Sequence, residues 1–268
     1  MRRLPQEVVN LVIDRLAESL PIARHNLSAQ YSGIADYSTV SWQWVRQSQQ
    51  HHFKELYFIG QEDLHKWHKI VTPDTSCVSQ HVRTLILDCV DTLEGFGKHL
   101  DGFTGVSEAS FCHCNFFYSL DGVRPLKSLG SKLENLELEG IIAPLEVIVG
   151  FLAFLPCLRR FHANNLLATT PEGHQVPDPT IPFFKKANAF ELFMDEEYLS
   201  HPNPLQWIPP TAQFSKLKVG TLIAAHYSDF LNNWITSSGS SLKYLCFVDE
   251  RINGGARLNS SFVFRISS

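Results

Sequence analysis

The sequence predicts an α/β chain, α+β overall: a small helical module at the amino end, then an array of short strand–helix units. Three observations predict it. An amphipathic segment opens the chain, an aliphatic spacing recurs along most of its length, and helical stretches fall between the recurrences. With 268 residues, 44% hydrophobic and 19% charged, the chain has apolar material for a real core and too little charge for disorder to be its default.

The opening segment LPQEVVNLVIDRLAESLP covers residues 4–21. Val8, Leu11, Val12 and Leu16 fall on one face at helical spacing, and Val9 and Ile13 widen that face. Pro5 suits a first helical turn, where its missing N–H would have no partner anyway. Pro21 marks the exit. Such a stripe must bury against something, either the rest of this chain or another protein.

The recurrence starts with VRTLILD at residues 82–88, where Val82, Leu85 and Leu87 are apolar. LENLELE (133–139), LRRFHAN (158–164) and LKYLCFV (242–248) repeat it through Leu133/Leu136/Leu138, Leu158/Phe161/Ala163 and Leu242/Leu245/Phe247. Weaker copies are Val106/Ala109/Phe111, Ala187/Phe190/Leu192 and Leu217/Gly220/Leu222. The starts lie roughly 24 to 30 residues apart, close to the period of about 20–29 residues of leucine-rich repeats, whose unit is a short strand plus a helix. The first residue anchors the start of the strand, and the next two point from one strand face into the core. An ordinary α/β domain also alternates strands and helices and remains the alternative.

The intervening segments fit. PLEVIVGFLAFLP (144–156) is an amphipathic helix opened by Pro144 and stopped by Pro156, and HYSDFLNNWITSSGSSLKYL (226–245) reads as helix, Ser/Gly turn and strand, with Ser228 or Asp229 to cap the helix. TTPEGHQVPDPTIP (169–182) and HPNPLQWIPP (201–210) are loops that lengthen their units. RLNSSFVFRISS (257–268) alternates Phe262, Phe264 and Ile266 as a strand does. A repeat array needs a polar cap on its last unit, so this end is either a rudimentary cap or the trace of a shortened chain.

A net charge of −4 provides no electrostatic footprint for nucleic acid or an anionic membrane. No apolar run approaches membrane-spanning length, and MRRLPQEVV lacks the apolar region of a signal peptide. The expected setting is intracellular, cytoplasmic or nuclear, where Cys77, Cys89, Cys112, Cys114, Cys157 and Cys246 read as thiols rather than bridges. Candidate chemistry is thin. EGFGKHL (94–100) lacks the third glycine of a dinucleotide loop, and GVSEA (105–109) lacks the last glycine of a nucleophile elbow. CHC (112–114), with His99 and HKWH (65–68), has only one residue between its cysteines, a poor spacing for a tetrahedral zinc ion. On a strand Cys112 and Cys114 would share a face as core thiols. No catalytic residue, cofactor or metal ligand is assigned.

LPQEVVNLVIDRL followed by IADYSTVSWQWVRQSQQHHF resembles the F-box, which opens on Leu-Pro-x-Glu and closes on Val-Ser/Cys-x-x-Trp. The matching positions are Leu4, Pro5 and Glu7, Ile13 and Leu16 along the helix, then Val40, Ser41 and Trp44. HHFKELYF then looks like a lead-out into a first strand through Phe53, Leu56 and Phe58. The layout is similar to F-box proteins with degenerate leucine-rich repeats, numerous in mushroom-forming fungi. Departures are a lengthened link at residues 21–33, and Tyr37 and Thr39 where the family prefers Cys and Leu.

The resemblance implies a module at residues 1–60, a linker helix or loop at 61–80 and a recognition domain at 81–268. It implies a substrate-receptor subunit of an SCF-type ubiquitin ligase, not itself an enzyme. The module would dock a Skp-type adaptor, and through it a cullin scaffold, by Leu4, Pro5, Val8, Val9, Val12, Ile13, Leu16, Val40 and Trp44. Three short helices cannot hide these side chains together with Leu11, Trp42 and Val45, and each aliphatic one left wet forgoes roughly 1.5–3 kcal/mol. The repeats would bind a target protein. The residues expected to point away from the core include Arg83, Ile86, Asp88, Glu134, Glu137, Glu139, Arg159, Arg160, His162, Asn164, Lys243 and Tyr244. Of these, Arg83, Glu137, Arg159, Arg160, His162, Lys243 and Tyr244 are the candidate contacts. The alternative function is a stand-alone repeat scaffold; an enzyme hidden in an irregular α/β domain is the third.

Overall fold

In a computed structural model, the described residues are 5–19, 42–70, 78–169, 189–195, 208, 215–220, 223–224, 229, 231–232, 235–236, 242–249, 252–253, 256–257 and 260–265. The fold is mixed α/β around a mostly parallel sheet. Its strands are β1 (Glu55–Ile59), β2 (Thr84–Asp88), β3 (Glu108–Cys112), β4 (Asn135–Glu139), β6 (Arg160–Asn164), β8 (Ala189–Phe193), β9 (Lys216–Gly220), β10 (Tyr244–Asp249) and β13 (Ser260–Arg265). They lie in that order across the sheet. The first eight are parallel, each paired with its successor, and β13 closes the edge antiparallel to β10. Short strands β5 (Ile142–Pro144) and β7 (Leu167–Thr169) pair apart from it, as do β11 (Ile252–Asn253) and β12 (Ala256–Arg257).

The strands alternate between buried and partly exposed residues. A doubly covered parallel sheet buries both faces; here one face carries the core and the other is open. Val82, Leu85, Leu87 and Val90 are buried in one unit, and Val106, Ala109, Phe111 and Cys114 in the next. Leu133, Leu136, Leu138 and Ile141, then Leu158, Phe161, Ala163 and Leu166, repeat the set. The expected three-residue pattern is therefore a four-residue one in these units.

Two backbone devices recur with it. At the start of a strand, two successive N–H groups share one carbonyl of the preceding unit: Arg83 and Thr84 on Lys54, Ser107 and Glu108 on Arg83, Glu134 and Asn135 on Ser107, Arg159 and Arg160 on Glu134. At the end, the chain turns through a left-handed residue, Gly60, Cys89, His113, Gly140 or Asn165, with φ from 52 to 72°. The N–H of Cys89, His113, Gly140 and Asn165 then donates to the last carbonyl of the next strand, at 2.8 to 3.0 Å.

Between β4 and β6, helix Leu145–Ala153 buries Leu145, Val147, Ile148, Phe151 and Leu152, as its proline-bracketed apolar run predicts. Phe151 meets Phe111 and Phe117 edge-on, at 6.1 and 5.2 Å between ring centres.

Two expectations are corrected. In the sixth recurrence the inward strand residues are Leu217 and Val219, where the aliphatic pattern placed them at Gly220 and Leu222 (Leu222 lies outside the described residues), so the frame lies three residues earlier than expected. Cys112 and Cys114 do not share a strand face, because the left-handed turn at His113 separates them. Cys112 ends β3 on the open side, and Cys114 is buried, donating to the Leu87 carbonyl at 3.3 Å. Of the loops expected at 169–182 and 201–210, all but Thr169 and Ile208 lie outside the described residues.

The amino-terminal helices are α1 (Gln6–Ser19) and α2 (Trp42–His52). They pack on each other, and Asp14 of α1 accepts from Gln47 at 2.6 Å and meets His51 Nε2 at 2.6 Å. The His51 bond leads in holding the Asp14 carboxyl below its ordinary range. Val9 and Ile13 are buried but belong outside the main core, which runs from Leu56 to Leu245. β1 lies within the first 60 residues yet pairs with β2, so the sheet reaches back to Glu55. α3 (Gly60–Ile70) follows, with Leu64 in the main core. Among the described residues no helix is long and apolar enough to cross a membrane.

Candidate functional site

The open sheet face is the candidate site, and strand register places its side chains. Its middle row is Tyr57, Ile86, Ser110, Glu137, His162, Glu191, Lys218 and Cys246, one per strand from β1 to β10. On the strand-start side lie Glu55, Thr84, Glu108, Asn135, Arg160, Ala189, Lys216 and Tyr244. On the strand-end side lie Ile59, Asp88, Cys112, Glu139, Asn164 and Phe193.

The middle row is a ladder of polar contacts. Ser110 donates to Glu137 at 3.1 Å, and Glu137 Oε1 stands 3.9 Å from His162 Nε2. The other His162 nitrogen meets Glu191 at 3.3 Å, and Lys218 donates to the same Glu191 oxygen at 3.2 Å. Phe193 lies beneath, 5.1 Å from the His162 ring centre and 5.2 Å from the Lys218 ammonium. His162 and then Lys218 pull the Glu191 carboxyl down to about 2 against the opposing effect of burial. Asn135 donates to Glu108 at 3.0 Å and Asn164 to Glu139 at 3.1 Å. The face therefore runs from carboxylates at Asp88, Glu108, Glu137 and Glu139 to cations at Arg160, Lys216 and Lys218. Side chains tied this way lose less rotamer freedom when a partner docks on them.

The sequence candidates divide by position. Glu137, Arg160, His162 and Tyr244 lie on the open face, with Glu137 and His162 in direct register. Arg83, Arg159 and Lys243 each precede a strand by one residue. They are exposed at the strand-start rim, because the alternation that puts the next residue outward takes these off the face. Arg83 folds back onto the Gln80 carbonyl at 3.2 Å, and Arg159 lies 3.9 Å from Glu134. Sequence reasoning passed over Ser110, Glu191, Phe193, Lys216 and Lys218. The displaced frame at Leu217 hid the two lysines, while Glu191 and Phe193 were readable two and four residues after Ala189.

At the strand-end rim, Asp88, Cys89 and His113 bring a carboxylate, a thiol and an imidazole together. The hydrogen bond to Asp88 leads in raising the Cys89 thiol above its ordinary range. Burial pushes Cys112 and Cys114 up to about 12.

The proposed adaptor contacts lie elsewhere. Val8, Leu11 and Val12 of α1 are 42, 60 and 39% exposed, and Pro5 is exposed beside them. Trp44 is half-buried. Val9 and Ile13, expected among the contacts, are buried within the chain, because the opposite side of α1 packs on α2. Leu4, Val40 and the Leu16 side chain lie outside the described residues, as do residues 21–33, Tyr37 and Thr39.

Searches against protein-family models and curated proteins return no match.

Proposed function

We propose that this chain is a substrate receptor of an SCF-type ubiquitin ligase. Its amino-terminal helices dock a Skp-type adaptor, which joins it to a cullin scaffold, and its open sheet face holds the target protein. The observation that carries this reading is the bare stripe of Val8, Leu11 and Val12, on a helix whose other side is already covered. Three adjoining apolar side chains left in water invite a partner surface. Seats at i, i+3 and i+4 are the spacing by which one helix lies in an apolar groove. The F-box resemblance over residues 4–58 selects the partner.

For the remainder, the reading is a leucine-rich-repeat solenoid. It is supported by the one-strand-per-unit parallel order, the one-sided burial and the left-handed turn recurring at one position. In such an array the strands line one continuous surface. The ladder from Ser110 to Lys218 then forms the middle of that surface, and its mixed charge favours a partner with both signs.

The test is binding of purified Skp-type adaptor to the full chain by calorimetry. Adaptor binding at micromolar concentration, lost when Val8, Leu11 and Val12 are changed together to Asp with an unchanged melting midpoint, is the expected result. An adaptor that ignores the chain, or binds the triple variant equally well, overturns the ligase reading in favour of the stand-alone scaffold.

A further inference from the structure

The turns after β2 and β3 occupy equivalent positions in consecutive units, which stacks what they carry. Other units place Gly60, Gly140 or Asn165 in this left-handed position; these two place Cys89 and His113. Asp88, the last residue of β2, lies between them. Its Oδ1 is 3.3 Å from Cys89 Sγ and 3.5 Å from His113 Nδ1, and all three donor atoms lie within 4.8 Å of one another. Tetrahedral zinc, with bonds of about 2.3 Å to sulfur and about 2.0–2.2 Å to nitrogen and oxygen, holds its ligand atoms roughly 3.4–3.6 Å apart. Two edges of the triangle have essentially that length already.

Two neighbours hold the donors in place. Tyr57 donates its hydroxyl to Asp88 Oδ2 at 3.2 Å, leaving Oδ1 toward the thiol and imidazole. Such an outer partner is what orients a metal-binding carboxylate. The His113 ring lies over Gly140, where any Cβ would overlap it. The glycine of the third unit thus leaves the space in which the imidazole stands.

We propose that Asp88, Cys89 and His113 form a binding site for a zinc-class transition-metal ion. A thiolate, an imidazole and a carboxylate together suit zinc rather than the oxygen-preferring calcium or magnesium. On binding, Cys89 releases its proton to solvent and the sulfur lone pair goes to the metal. His113 donates through neutral Nδ1, and no group changes oxidation state. Three protein ligands leave a fourth position, which water fills. The site stands at the strand-end rim of the open face, independent of the ligase reading.

The test titrates the reduced, chelator-stripped full chain with Co2+ as an optical probe. Expected are a thiolate-to-cobalt charge-transfer band and the visible bands of four-coordinate cobalt, both bleached by Zn2+. Cys89→Gly abolishes the charge-transfer band. His113→Gly and Asp88→Asn weaken binding by at least the roughly 10–100-fold that even losing an outer support costs. Glycine suits a left-handed turn, so the glycine variants remove donors without straining the backbone, and a melting curve verifies the fold. Absence of four-coordinate cobalt bands overturns the proposal. So does a charge-transfer band that survives in Cys89→Gly, or one abolished by Cys112→Ser.

Discussion

Glu191 concentrates the electrostatics of the open face in one side chain. His162 on β6 and Lys218 on β9 both contact its Oε2, with Glu137 beyond the histidine. Folding lowers its carboxyl from an ordinary 4.5 to about 2, so the ionised form favours the folded state. That contribution is complete above about pH 4.5 and disappears as pH falls toward 2. The stability difference between the native protein and Glu191→Gln, read by urea unfolding at stepped pH, should shrink across that window; a difference independent of pH contradicts the assignment. The left-handed turns yield a second residue-scale prediction. Holding an L-residue there costs about 1–2 kcal/mol, while glycine gives back about 0.5–1 kcal/mol in chain entropy. Without metal, Cys89→Gly should therefore raise stability slightly. Gly140→Ala should cost about 1–2 kcal/mol for its backbone alone and more where its Cβ displaces the His113 ring. Denaturant midpoints of both variants decide it. None of this was legible in CHC as a string, because a positive φ at His113 is set by the sheet's repeat and not by the residue's own preference.

At the scale of elements, α1 has two apolar sides with opposite expected behaviour. Ile13 is buried against the helix pair, so Ile13→Ala should cost about 2 kcal/mol or more and speed amide exchange in residues 6–19 and 42–52 first. Val8→Ala should fall within about 0.5 kcal/mol, as exposed substitutions do, and act only on partner binding. Equal losses from both would mean that α1 is covered on all sides. The sequence made the apolar width of α1 plain but not its division, since a hydrophobic face six residues wide does not say which half meets α2. Helix Leu145–Ala153 was legible almost to its ends, because prolines bracket it and nearly every residue between is apolar. The strand at Lys216–Gly220 was misplaced for a physical reason. Gly220 and Leu222 complete an aliphatic spacing, yet Val219 is what the neighbouring strands bury, and pairing with β8 and β10 decides the register.

For the whole molecule, the consequential property is that each parallel strand pairs with the next in sequence, so the sheet grows in one direction and ends in edges. The recurring aliphatic spacing made most of the strands readable from the sequence, but their order across the sheet comes from the pairing. The join was less readable: β1 belongs to the sheet though it follows the helices by only two residues, and only its pairing with β2 reveals where the helical module stops. At the far end β13 turns antiparallel and covers β10, pairing Tyr244 with Arg265 through Asp249 with Ser260. An antiparallel strand here occupies the hydrogen-bonding edge of β10 that another parallel unit would need. Uncovered parallel edges are templates for pairing with other chains. A chain ending after Asp249 should therefore keep its parallel sheet but self-associate with rising concentration. Sedimentation of the two lengths side by side measures it, with the full chain as reference at equal concentration. A shortened chain that sediments as a monomer across that range would show that β10 protects its own edge, and the closing role assigned to β13 would fall.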